Sequence, residues 1–202
     1  MFSKGRESGY TKLILAGLAF SLIVLAASAF IADDTEAVEP EPVEDGDIAY
    51  MIDTENHTAA VKGLSASGAS KNSIVIPESF WYVSATYDVT SMNDEAFKDK
   101  TNLTSVQILG DTPISTKAFS GCSSLISVQL QYNAIVPPDS FEGCTSLNSV
   151  IFFGAATNYT EAINKFPNTI NSVAFYSQSS VNIESIASLN HITIIGIIDS
   201  SK

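Results

Sequence analysis

Side chains able to do covalent or acid–base chemistry are scarce in this chain, and their spacing does not let them cooperate. A nucleophile needs a base beside it. The only imidazoles are His57 and His191, and neither lies in a motif with Ser, Cys and Asp. Phosphate-cradling glycine loops, Cys-x-x-Cys pairs and His-Glu-x-x-His are missing. The two cysteines, Cys122 and Cys144, stand 22 residues apart, and two thiolates do not complete a tetrahedral metal site. They read instead as small fillers of one buried column. Adjacent strands lie ~4.8 Å apart, within reach of a disulfide, but stacked side chains point the same way, so both thiols are expected to be free. An oxidising exported compartment keeps the disulfide as the alternative. The expectation is therefore no catalytic residue, no metal and no cofactor. Asn56, Asn102 and Asn158 begin Asn-x-[Ser/Thr] triplets, at a frequency that chance supplies in a chain this rich in Ser and Thr.

The spacing of the apolar residues says far more. Phe97, Phe119 and Phe141 are 22 residues apart, as are Leu103, Leu125 and Leu147, and Val106, Val128 and Val150. Ile108, Leu130 and Phe152 keep the same step, and so do Met92, Ile114 and Val136 upstream. Columns with one fixed period mark stacked repeats that share a continuous core. Each unit reads Leu-x-x-Val-x-[Ile/Leu/Phe], the strand signature of a leucine-rich repeat. Strands are expected at 105–109, 127–131 and 149–153, with the phenylalanine of each return limb inserted between layers. Gly121 and Gly143 let the chain bend back towards the next strand. Two degenerate copies follow: Ile170, Val173 and Phe175 after 23 residues, then Leu189, Ile192 and Ile194 after 19 more. In them the phenylalanine is expected to become Ile163 and Ile183.

The units KAFSGCSSLISVQL and DSFEGCTSLNSVIF resemble the BspA-like leucine-rich repeats of microbial surface proteins. EAFKDKTNLTSVQI is a weaker copy, with Asp99-Lys100 in place of Gly-Cys, and SIVIP followed by TYDVTSMNDEAF is similar to the usual opening of such an array. The resemblance covers roughly residues 73–195. It implies a surface scaffold used in adhesion and in binding host or neighbouring-cell proteins. It implies no particular ligand, because no shared ligand residues define the family.

The rest of the chain has to carry and close such an array. Lys4, Arg6 and Lys12 precede the uncharged apolar run 13–32, which as a helix would span ~30 Å, the thickness of a bilayer core. The basic flank 1–12 belongs in the cytoplasm and the remainder outside. Two readings stay open: an uncleaved membrane anchor, or a signal cleaved near Ala29 after the small-x-small site Ala27-Ser28-Ala29, with secretion. Residues 33–47 hold eight acidic side chains and no basic one; with Pro40 and Pro42 they read as an extended, disordered spacer. Residues 48–90 are the expected N-terminal β cap, with strand pairs at 48–51 and 58–61, a short strand at 74–76, and another pair around Trp81 and Tyr87. Trp81, the sole tryptophan, is expected to fill the core of this cap. Residues 91–202 complete the repeats. The fold class is thus an α/β repeat solenoid: a short leucine-rich-repeat array with a parallel sheet, short helical turns and an N-terminal β cap.

Function must then be sought on the outward face of the sheet. With 22 acidic against 10 basic residues and a net charge of −12, a nucleic-acid partner is not expected. Strand alternation turns outward Gln107, Gln129 and Ile151, and beside them Leu109, Gln131, Phe153 and Tyr176. Contiguous apolar surface of this kind often marks an interface; the alternative is a flat face partly covered by neighbouring chain. Two functions stay open. The first is non-catalytic binding or adhesion at the cell surface, towards a protein or glycan. The second is a structural envelope component that self-associates, helped by an uncovered apolar C-terminal strand at 192–198.

Overall fold

The computed structural model describes residues 41–131, 135–153, 159–176, 192 and 194–198, with the side chains of 159, 160 and 194–198 excepted. The apolar run 13–32, residues 33–40 of the acidic stretch, Asn158, Ile183, Leu189 and His191 lie outside the described residues. Among the described residues, no helix is long and apolar enough to cross a membrane.

The chain builds two sheets. The first contains β1 (Val43–Asp45), β2 (Ile48–Asp53), β3 (Thr58–Leu64), β5 (Ser79–Tyr82) and β6 (Ala85–Met92), in the order β1-β2-β3-β6-β5. All neighbours in it are antiparallel except β3 and β6. The turn from β2 to β3 closes on Asp53, whose carboxylate accepts from Asn56 Nδ2 at 2.7 Å and from the backbone N–H groups of Glu55 and Asn56. The Asn56 bonds hold the Asp53 carboxyl below its ordinary pKa.

The second sheet is parallel throughout and has the order β11-β10-β9-β8-β7-β4. Its strands are β4 (Ser73–Ile76), β7 (Ser105–Ile108), β8 (Ser127–Gln131), β9 (Ser149–Phe153), β10 (Ser172–Tyr176) and β11 (Ile194–Ile198). Alternation along each strand turns Val106, Ile108, Val128, Leu130, Val150, Phe152, Val173 and Phe175 inward, and each is fully buried. Leu103, Leu125, Leu147 and Ile170 are buried at the corner before their strands. The 22-residue columns are therefore the core.

The return limbs are runs of turns, with one short α-helix, α1 (Tyr159–Ile163), among the described residues. They are also bonded from repeat to repeat: Phe97 N–H to Ala118 O at 2.7 Å, Phe119 N–H to Ser140 O at 2.9 Å, and Gly121 N–H to Glu142 O at 2.7 Å. The rings of Phe97, Phe119 and Phe141 stack face to face, with centroids 5.0 and 5.3 Å apart. Gly121 and Gly143 both sit at φ 76°. A Cβ on Gly121 would come within 2.1 Å of Asp99 Oδ1, so that exposed carboxylate would have to turn aside, in addition to the left-handed strain at φ 76°. In the first repeat Asp99 takes the same place at φ 58°, as a short polar residue can.

The disordered spacer expected to run to residue 47 gives way at Val43, because β1 pairs in register with β2; three further expectations are corrected. The fourth ring of the phenylalanine stack is Phe166, 4.7 Å from Phe141. Ile163 is buried but does not take that place, because α1 adds residues to this limb and moves the slot along the chain. The last strand keeps the 22-residue step: Val173 pairs with Ile195 and Phe175 with Ile197, so the 19-residue register is wrong. Ile192, not Leu189, then follows Ile170, and it packs against the core. Thirdly, Trp81 is 65% exposed. Its neighbour Phe80 fills the first sheet instead, stacked on Tyr50 at 4.2 Å.

Candidate binding surface

The parallel sheet lines up its outward residues in rows. Ser73, Ser105, Ser127, Ser149 and Ser172 form one row, in which Ser127 Oγ lies 3.3 Å from Ser105 Oγ. The next row is Val75, Gln107, Gln129, Ile151 and Ala174, and the third joins Gln131, Phe153 and Tyr176. Leu109 lies just past the end of β7; its carbonyl accepts from Gln131 Nε2 at 2.7 Å. The rings of Phe153 and Tyr176 stack with centroids 4.9 Å apart. The seven residues selected from the sequence thus share one face, most of them half-buried, and no charged residue stands in these rows. Packed this way, the face offers a stacked aromatic pair, amide side chains and hydroxyls. It can make apolar contact and neutral hydrogen bonds.

Sequence reasoning missed one strand of this face. Val75 joins it, 46% exposed, because β4 pairs with β7 in register, Ile74 with Val106 and Ile76 with Ile108. The spacing hid this. Met92 follows Ile76 by 16 residues where Ile114 follows Ile108 by 6, and the extra length is the β5–β6 hairpin. The Ile-x-Ile pattern of residues 74–76 was the available signal. Also missed was a shallow groove along the starts of β7 to β10, lined by Thr104, Ser124, Ile126, Ser146, Asn148 and Thr169.

Nothing among the described residues gathers a reactive site. Among the described residues, no three His, Cys, Asp or Glu side chains come together as metal ligands would. Cys122 and Cys144 are buried and not bonded to each other. Each thiol donates to the carbonyl of the phenylalanine one repeat earlier, Cys122 to Phe97 O at 3.1 Å and Cys144 to Phe119 O at 3.0 Å. Contact with Cys122, and then burial, push the Cys144 thiol well above its ordinary pKa. His57 is exposed and meets the edge of the Tyr87 ring at 5.7 Å. The Asn102 amide nitrogen is engaged by Lys71 O at 2.7 Å, and that of Asn56 by Asp53.

A parallel sheet whose strands recur once per repeat over a leucine and phenylalanine core defines a leucine-rich-repeat protein. The chain belongs to the family of the BspA type leucine rich repeat region, which matches in six copies across residues 77–197. It matches no curated protein. Among solved structures it is similar to a leucine rich cell surface protein from Faecalibacterium prausnitzii A2-165, at 17% identity over 78% of this chain and 51% of that one, with a TM-score of 0.40. It is also similar to a leucine-rich repeat protein from Bacteroides capillosus, at 18% identity over 79% of this chain and 100% of that one, with a TM-score of 0.41. A leucine rich repeat protein of T. pallidum matches at 14% identity over 74% of this chain and 79% of that one, with a TM-score of 0.37. The chain spans about half the length of the first of these. The six-copy match carries the assignment.

Proposed function

We propose that this chain is an exported, non-catalytic binding module, held at the membrane by residues 13–32, which presents the outer face of its parallel sheet to a protein or glycan outside the cell. In this reading the repeats form a short solenoid and the five-stranded sheet is its N-terminal cap. The observation that carries it is the uncharged face on which Gln107, Gln129, Gln131, Ile151, Phe153 and Tyr176 come into register. Well-packed aromatic side chains beside neutral hydrogen-bonding groups are what protein interfaces use. The basic flank ahead of the apolar run 13–32 supports the location.

The test is binding of the full chain in detergent to arrays of glycans and extracellular proteins, beside a Phe153→Asp, Gln129→Lys variant with wild-type circular dichroism. Loss of at least tenfold in affinity in the variant is the expected result. Equal binding by both would move the site off this face.

A second reading, a self-associating envelope component, is favoured by one feature. Strand β11 is the last strand of the parallel sheet, paired only with β10 among the described residues, and an open strand edge is a template for another chain. Light scattering separates the two. A mass that stays monomeric at high micromolar concentration removes the second reading. A mass that rises with concentration, and that Ile198→Lys holds back, supports it.

A further inference from the structure

The hairpin between β5 and β6 combines exposed aromatic and apolar side chains with a left-handed β-branched residue. Its nine residues 79–87, SFWYVSATY, carry no charge. At its tip Trp81 is 65% and Val83 79% exposed, with Tyr82 beside them. Val83 sits at φ 54°, in a tight turn where Ser84 N–H donates to Tyr82 O at 2.7 Å. A β-branched residue in left-handed backbone is an outlier that Gly, Asn or Asp would relieve. Here a strained apolar residue is held out in water with an aromatic pair, and strain kept without an internal gain is a mark of function.

Topology says what lies within its reach. Strand β1 is antiparallel to β2, β2 to β3, β3 parallel to β6, and β6 antiparallel to β5. The start of β1 therefore faces the end of the sheet that holds the β5–β6 turn, although the register sets it level with the far end of β6. Val43 pairs with Tyr50, Tyr50 with Val61 and Val61 with Met92, three strand spacings across. From Met92 the chain of β6 runs back to Ala85, opposite Tyr82. At ~4.8 Å per strand spacing and ~3.3 Å per residue, the tip stands at most ~30 Å from Val43. The stretch from Ala32 to Val43, fully extended, reaches ~36–40 Å. A leash of that length lets the tip touch the surface in which residue 32 ends.

We infer that the Trp81-Tyr82-Val83 tip docks into the headgroup region of the same membrane that holds residues 13–32, so that a second contact orients the repeat sheet above the bilayer. Trp and Tyr favour that region, because an apolar ring and a polar edge are both satisfied there. The surface chosen is a neutral one: the exposed carboxylates of Asp53 and Glu55 lie in the neighbouring turn at this end, and an anionic lipid surface would repel them. The inference rests on the membrane-anchor reading proposed above.

The chain supplies its own reporter, since Trp81 is the sole tryptophan. The experiment places the full chain in phosphatidylcholine vesicles, with flotation reading the anchor and Trp81 fluorescence reading the tip. The expected result is a chain that floats, whose Trp81 emission is quenched at least twofold by brominated phosphatidylcholine and is shielded from aqueous iodide. Val83→Asp, which suits the left-handed backbone, should still float while losing at least half of that quenching. A chain that floats with Trp81 open to iodide and untouched by brominated lipid overturns the docking and leaves the anchor standing. A chain that does not float overturns both. Shielding from iodide that grows with protein density, without quenching by brominated lipid, identifies a second copy as the occupant and also overturns the inference.

Discussion

The two sheets handle their awkward groups in opposite ways. In the repeats, each buried polar side chain finds a carbonyl one repeat away: Cys122 with Phe97, Cys144 with Phe119, and Thr112 with Val89 at 2.8 Å. Left-handed backbone there falls on Gly121, Gly143 and Asp99, which tolerate it, and also on Glu95 and Lys117 in the exposed turns. In the five-stranded sheet, Tyr50 is fully buried and its hydroxyl has no hydrogen-bond partner. Burial, followed by the charge of Asp45, raises the pKa of that phenol. Val83 holds a left-handed turn, and the only tryptophan lies in water. A repeat solves its packing once and copies the solution. The first sheet is built once, so its exceptions stay visible, and the one at its surface, the Val83 turn, is placed where the protein can meet something else.

The contrast can be broken first at the centre of the phenylalanine stack. Phe119→Ala should cost ~3–5 kcal/mol, because a fully buried ring leaves a cavity between two others. That is a large part of the ~5–15 kcal/mol that holds a domain together. Gln129→Ala on the outward face should stay within ~0.5 kcal/mol. Equal shifts of the denaturation midpoint in the two variants would invert the assigned faces.

Gly121→Ala comes next, at ~1–2 kcal/mol for the left-handed backbone, with the contact to Asp99 Oδ1 added. Asp99→Gly should move the other way, by up to ~1 kcal/mol, since glycine is the residue the copies use there. A loss of stability in Asp99→Gly would mean that its side chain, rather than its backbone, matters.

Two changes in the first sheet should stabilise. Val83→Asn should add ~1 kcal/mol by relieving the turn, measured by chemical denaturation of the full chain in detergent. Tyr50→Phe removes a buried hydroxyl that lacks a partner, so it should be neutral or add up to ~1 kcal/mol. Thr112→Val, by contrast, should lose about that much. A destabilised Tyr50→Phe would show that the phenol does have a partner. The smallest effect concerns the thiols. Native chain should label slowly with an alkylating agent, and denatured, unreduced chain should take up two groups by mass. No uptake after denaturation would mean that Cys122 and Cys144 are bonded.

Periodicity by itself determined the repeat core. Each inward row, from Val106 and Ile108 to Val173 and Phe175, was readable because every repeat meets only its neighbours, so one spacing decides which face is buried. The outward rows followed by alternation, and the seven residues picked from them do share a face. Spacing failed where the chain inserts or loses residues. The β5–β6 hairpin hid the membership of β4 in the parallel sheet. The limb containing α1 passed the ring position from Ile163 to Phe166, and the apolar run near residue 195 allowed two registers, of which pairing with β10 selects one. Trp81 shows the limit most sharply. Phe80 and Trp81 are adjacent aromatics on one strand, and a shift of one residue exchanges inside for outside. Only the packing of Phe80 against Tyr50, a residue distant along the chain, together with its hairpin partner Tyr87, decides which of the two is buried.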